Sequence, residues 1–247
     1  MPQFTDDLFL GAATTYMGTN LGNSSPMSEG VGPLGRIYVW DVVPATKQTN
    51  NISTAATYTG GGTATLAAGT GTTAVTNAAG VAVIQLDCPR AVSITIGTGT
   101  ITDRAVTVTG YDIYGQAMSE VLQTGTTQST TINGKKAFHQ IASVTVANTV
   151  GGTLAVGTTD ILGSPVRITD AGYVARAGWA NTLAEDAGTF VAAVTTAATT
   201  TSGDVRGTYV PSSAANGTRR LVMGILLPAI SVGPNATRAG ALGVTQA

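Results

Sequence analysis

The sequence predicts an all-β protein: a β-sandwich or jelly-roll-like body preceded by an extended, irregular N-terminal arm. Three observations lead there. Short runs rich in β-branched residues recur along the chain between Gly, Asn and Asp turn signals, the spacing of sandwiches and Greek-key barrels rather than of alternating β and α units. No segment sustains the i, i+3, i+4 apolar period of a long helix. The 247 residues are 43% hydrophobic with a formal net charge of -1, which is the composition of a chain that folds rather than of a disordered one.

Residues 1–36 are read as the arm. GTNLGNSSPMSEGVGPLG has neither helical nor strand periodicity, and a segment of that kind is expected to be disordered if left in water, or extended if it lies along a neighbouring subunit. Residues 37–166 are read as the sandwich body and 167–247 as a C-terminal β region that continues from it, with a break near the GSPVRIT corner. The body opens on RIYVWDVVP, a strand stopped by Pro44; its aromatic and branched side chains suit a pleated surface. Strands are then expected in TATLAAG, GVAVIQLDC, AVSITIG, AVTVTGYD, SEVLQT, ASVTVAN, TLAVGT, SPVRIT, GYVARAGW, GTFVAAVTT, GTYVPSS and RRLVMGILLP. WANTLAED, residues 179–186, is the one stretch expected to supply a helical turn or two. The Gly- and Thr-rich tract TAATYTGGGTATLAAGTGTTAV is read as turns and edge strands, and no repeat of 20 to 50 residues marks a solenoid.

Charge narrows the function classes. Only 10% of residues are charged, against about 25% in ordinary domains. The 12 basic residues are scattered, with Lys135-Lys136 and Arg219-Arg220 the only adjacent pairs, so the basic stripe that displaces counterions from nucleic acid is missing. A membrane span needs about 20 apolar residues; LVMGILLPAISVG is shorter and carries Pro228, and it reads as a buried strand. The N-terminus has no basic region ahead of an apolar run and places Asp6 and Asp7 there instead, which predicts synthesis in the cytoplasm.

Catalytic constellations are sparse. His139 is the single histidine and no G-x-S-x-G elbow accompanies it, so a Ser-His-Asp triad is not expected. One His and one Cys do not make a zinc site. Cys88, at the expected strand end VIQLDCPR, reads as a buried inert thiol. Asp103, Asp112, Asp160, Asp170, Asp186 and Asp204 all fall near expected turns where oxygen ligands for calcium could converge. No calcium-loop motif joins them, and Asp is a routine turn former. Glu29, Glu120 and Glu185 are the only glutamates, and nothing pairs one with a particular Asp as a glycosidase requires. No catalytic residue, cofactor or metal ligand is therefore assigned, and the chain is not read as an enzyme.

The most suggestive stretch is VTVTGYDIYGQAMSEVL, residues 106–122, two strands folded about a polar turn. Asp112 is expected to form the turn. Glu120 shares a face with Met118 and Leu122, as an edge-strand charge or a buried partner of Arg104.

This stretch, with INGKKAFHQIASVTV and TLAVGTTDILGSPVRI after it, resembles a segment of tailed-bacteriophage virion structural proteins. The shared pattern is a strand ending in T-G-x-D, a G-x-x-M-x-E turn, a K-A-F step into S-V-T-V, and an L-G-x-P corner. It covers residues 106–168, about a quarter of the chain; MPQFTDDLFLGAATTYMGT and GVGPLGRIYVWDVVP also look like the opening of such proteins. The resemblance implies a capsid decoration or cement protein on the head exterior, a homotrimer bound to the major capsid protein between capsomers, with no nucleic-acid or membrane partner. Phe4, Leu8, Phe9, Leu10, Tyr16, Met17 and Leu21 of the arm would make the attachment. The alternatives are a tail, baseplate or head-tail adaptor component, or a virion-borne polysaccharide-degrading enzyme.

Overall fold

The computed structural model describes residues 35–228 apart from 181, 183, 195 and 197. The protein is all-β, with 52% of the described residues in strands, arranged in curled antiparallel sheets. The arm residues Phe4, Leu8, Phe9, Leu10, Tyr16, Met17 and Leu21 lie outside the described residues.

A three-stranded sheet has the order β1 (Gly35–Val42), β13 (Leu221–Pro228), β10 (Val174–Trp179). The main sheet is ten-stranded. Its path runs β11 (Thr189–Val191), β12 (Thr208–Val210), β9 (Gly152–Gly163), β5 (Ala82–Gly99), β8 (Thr130–Val146), β6 (Ala105–Tyr111), β7 (Ala117–Gln123), and β2 (Ser53–Thr57), β3 (Gly62–Thr63) and β4 (Thr72–Thr76) pair alongside. Residues after 167 thus return to both sheets.

The long strands β5, β8 and β9 form the spine, and β5 and β9 serve two cores. Ile84, Leu86, Val92, Ile94 and Ile96 of β5 pack with Phe138, Ile141, Val144 and Val146 of β8, Leu154 and Val156 of β9, and the inner faces of β6 and β7. The second core sits under the three-stranded sheet, where Trp40, Trp179, Leu221, Met223 and Ile225 meet Cys88, Leu162 and Tyr209. Cys88, the β5 residue of the second core, sits where β5 slips register against β8 between Gln85 and Arg90, with first-core residues on both sides. Pro89 lies in that slip. Proline has no N–H for the ladder, so inside a sheet it belongs at an irregularity of this kind.

Several expectations need correction. WANTLAED supplies no helix among the described residues: Trp179 ends β10, and the Thr182 N–H donates to the Trp179 carbonyl in a simple turn. TATLAAG contributes only its first residue to a strand, and GTFVAAVTT only residues 189–191. SPVRIT is irregular, although residues 164–168 are buried. Cys88 lies within β5 rather than at a strand end, and Asp160 lies within β9 rather than at a turn. The apolar run at Leu221 is the expected buried strand, with Leu221, Met223 and Ile225 fully enclosed. Among the described residues no helix is long and apolar enough to cross a membrane.

Candidate functional site

The expected hairpin forms: β6 and β7 pair from Ala105 opposite Gln123 to Tyr111 opposite Ala117. Their burial alternates, with Val106, Val108, Met118, Glu120 and Leu122 inward. Asp112 makes the turn. Its Oδ1 accepts the N–H groups of Tyr114 (2.8 Å) and Gln116 (2.9 Å), and Gly115 takes the left-handed conformation there with φ 76. Its Oδ2 accepts from Arg206 Nη1 at 2.8 Å, and both side chains are almost wholly enclosed. The Arg206 guanidinium also lies 5.4 Å from the centre of the Tyr114 ring, while the Tyr114 hydroxyl donates to the Pro165 carbonyl at 2.5 Å. A local turn is thereby fastened to residues far along the chain.

Glu120 does a related job on β8. Between Ala137 and Asn133 the ladder with β5 slips, so residues 134–136 bulge where β5 has only Val92. A bulge turns backbone N–H groups away from their ladder partners, and a buried N–H left bare costs about 1–3 kcal/mol. Here carboxylates supply the missing acceptors. Glu120 accepts from the N–H of Lys135 (2.6 Å) and of Lys136 (3.4 Å), and Asp204 accepts from the N–H of Ala137 (2.9 Å) and of Arg206 (2.8 Å). Gly134 is required for this closeness, because a Cβ there would stand 2.5 Å from Glu120 Oε2.

These positions correct the two roles expected of Glu120. It is only 2% exposed and turned towards β8, so it is no exposed edge charge. Arg104 is not its partner; that side chain donates to the carbonyls of Thr149 and Asp103. Burial pushes the Glu120 carboxyl up to about 7, against the pull of the Lys135 and Lys136 N–H groups and ammonium charges. Burial also raises Asp204, opposed by Arg206 and the Ala137 N–H. It lowers the enclosed Lys136 ammonium, which Glu120 and Asp204 draw the other way.

A second buried group centres on Arg90. Its guanidinium donates to the carbonyls of Thr159 (2.8 Å) and Ala45 (3.2 Å) and to Asp87 (3.1 Å), and it lies 3.5 Å from Asp160. Lys47 reaches the other Asp160 oxygen at 3.3 Å. Asp160 and Lys47 border an open groove of about 490 Å³ whose walls include Gln48, Ser93, Thr131 and Asn133. Of the other acids expected at turns, only Asp170 serves its own turn, while Asp103 and Asp186 tie together segments more than 20 residues apart. Asp103 accepts from Gly125 N–H, Asp170 caps the 3-10 turn Ala171–Tyr173, and Asp186 accepts from Ser212 and Tyr209. Among the described residues no three His, Cys, Asp or Glu side chains converge as metal ligands. His139 is half-buried on β8, with burial lowering its pKa against the pull of Asp87 and Asp112. Burial pushes the Cys88 thiol up to about 12, so it is a poor nucleophile.

Arg206 and Arg90 are the site residues that sequence reasoning missed; Asp204 stood there only as a turn acid and Lys136 only as half of a basic pair. The available signal was scarcity: in a chain with so few charges, SGDVRG places Asp204 and Arg206 two apart between small residues. No protein-family model matches the chain, and neither the curated proteins nor the solved structures contain a significant match.

Proposed function

We propose that this chain is a structural virion protein that decorates the exterior of a tailed-phage capsid, self-associates as a homotrimer, and binds the major capsid protein between capsomers. One observation carries the reading. The acids of the virion-like stretch, Asp112 and Glu120, accept hydrogen bonds from a turn, a bulge and a buried arginine. They serve the wall of the sheet and do not face each other across a cleft.

The distribution of charge supports the same reading. Among the described residues eight charged side chains are buried: Arg90, Asp112, Glu120, Lys136, Asp160, Arg167, Asp204 and Arg206. Contacts made by the remaining surface, including exposed Val39, Val43 and Val191, then depend little on ion pairs, which salt screens. The arm, residues 1–36, supplies the attachment element, and three arms acting together raise avidity.

The test is loading onto capsids stripped of the protein, with full-length chain and a variant lacking the first 30 residues. The full chain binds in hundreds of copies and appears between capsomers by electron microscopy, while the truncated chain stays folded and oligomeric but does not load. A dozen or fewer copies at the neck or tail would assign it to the tail. Turnover of capsular polysaccharide or peptidoglycan would make it an enzyme.

A further inference from the structure

Strand β7 ends the path of the ten-stranded sheet, and a bare edge strand invites pairing with another chain. Residues 198–207 lie against that edge. The Val121 N–H donates to the Thr200 carbonyl at 2.8 Å, and the tip is closed by Ser202, whose N–H and Oγ donate to the Thr199 carbonyl. The base is tied down where Ile168 N–H donates to the Arg206 carbonyl and Ser164 N–H to the Gly207 carbonyl. Between tip and base, Asp204 and Arg206 turn inward to β8 and to the hairpin turn.

Five ionisable side chains gather there, each at most 3% exposed: Asp112, Glu120, Lys136, Asp204 and Arg206. Three carboxyls face two cations. Of the neighbouring groups, β8 also contributes Lys135 and His139, and the hairpin turn contributes Tyr114. Full ionisation of the five leaves one net negative charge in the interior, opposed only by the exposed Lys135 ammonium, which is costly; one bound proton removes it.

We propose that this cluster is a proton-operated clasp: protonated, it holds residues 198–207 over the β7 edge, and as the proton leaves, the strap loosens. The direction follows from linkage. Burial raises the Glu120 carboxyl from 4.5 to about 7 in the closed form. Between those two values the closed form holds a proton that an opened, hydrated form gives up, so opening becomes easier as pH rises, by up to about tenfold per pH unit, and levels off above 7. The clasp is tightest in acid.

Amide exchange of the full chain, read by NMR as protection factors so that the intrinsic pH dependence cancels, tests this at Val121 and Ala137. Protection at both should fall at least about tenfold between pH 5 and 7.5, while ladder amides of β5 and β9 stay level. Glu120→Gln should flatten the fall. In the wild type, the Glu120 carboxyl carbon shift should titrate with the same midpoint, which keeps the proposal testable if the variant fails to fold. Level protection at Val121, an undiminished fall in Glu120→Gln, or an ordinary Glu120 titration near 4.5 would overturn it.

Discussion

Replacing Arg206 with Met tests whether Asp112 belongs to a structural lock. Methionine fills much of the arginine volume but supplies no charge, so the 1% exposed Asp112 carboxylate would keep its two backbone donors and lose its cation at 2.8 Å. Breaking a buried pair from one side costs about 3–5 kcal/mol, most of it the stranded charge. For a chain of this size that is a fall in melting temperature of about 6–20 °C at 2–4 °C per kcal/mol. Asp112→Asn probes the other side, because the amide oxygen can still accept from the turn while the charge is gone. Added to Arg206→Met, it should recover part of the loss, giving a coupling of at least about 1.5 kcal/mol in a double-mutant cycle. Urea unfolding of the four proteins measures it. A loss below about 1 kcal/mol for Arg206→Met, or strict additivity in the cycle, would refute the lock, since either result requires the carboxylate to find water or another partner at no cost.

Three further outcomes follow from the same structure. Cys88, enclosed between the sheets and with its thiol pushed up to about 12, should resist iodoacetamide at pH 8 in the folded protein and react fully in urea; rapid native labelling by mass spectrometry would contradict its placement. Gly110→Ala should lower the urea midpoint by the equivalent of about 1–3 kcal/mol, because the new Cβ would run into the Gln140 carbonyl where β6 and β8 slip register; an unchanged midpoint would mean the bulge yields. Although burial works to raise Asp186, hydrogen bonds from Ser212 and Tyr209 hold it below its ordinary value. Its contribution is therefore present above the model-compound value of 3.8 and lost as pH falls through the lowered one. Ser212→Ala should accordingly move the acid-unfolding midpoint upward, and an unmoved midpoint in an acid titration followed by circular dichroism would discount those bonds.

The hairpin could be read from sequence because its information is local. Alternation puts Val106 and Val108 on one strand and Met118, Glu120 and Leu122 on the other toward a common face, and Asp112 with Gly115 closes the turn. Even the oddity of a carboxyl among apolar neighbours was visible. Its partner was not, because Glu120 binds backbone N–H groups exposed by a bulge in β8, and a bulge of that kind leaves no side-chain pattern in INGKKAF. Arg206 is 94 residues from Asp112, so one chain offers no periodicity that joins them. WANTLAED failed for a different reason: helix-forming residue types were present, but Trp179 was already committed to β10 opposite Leu221, and tertiary pairing overrode propensity.

The double carboxylate cap on β8 also bears on how this chain avoids misalignment. Runs such as VTVT, TTAV and TATL keep their pattern when shifted by two residues, so hydrophobic alternation alone leaves neighbouring alignments nearly equivalent. The bulge at 134–136 breaks that equivalence. If β7 slid by two residues, Glu120 would face ladder positions whose N–H groups are already used, and Lys135 and Lys136 would be left with buried, bare amides. The alignment error therefore carries a large electrostatic penalty, and a monotonous β sequence gains a single in-register answer.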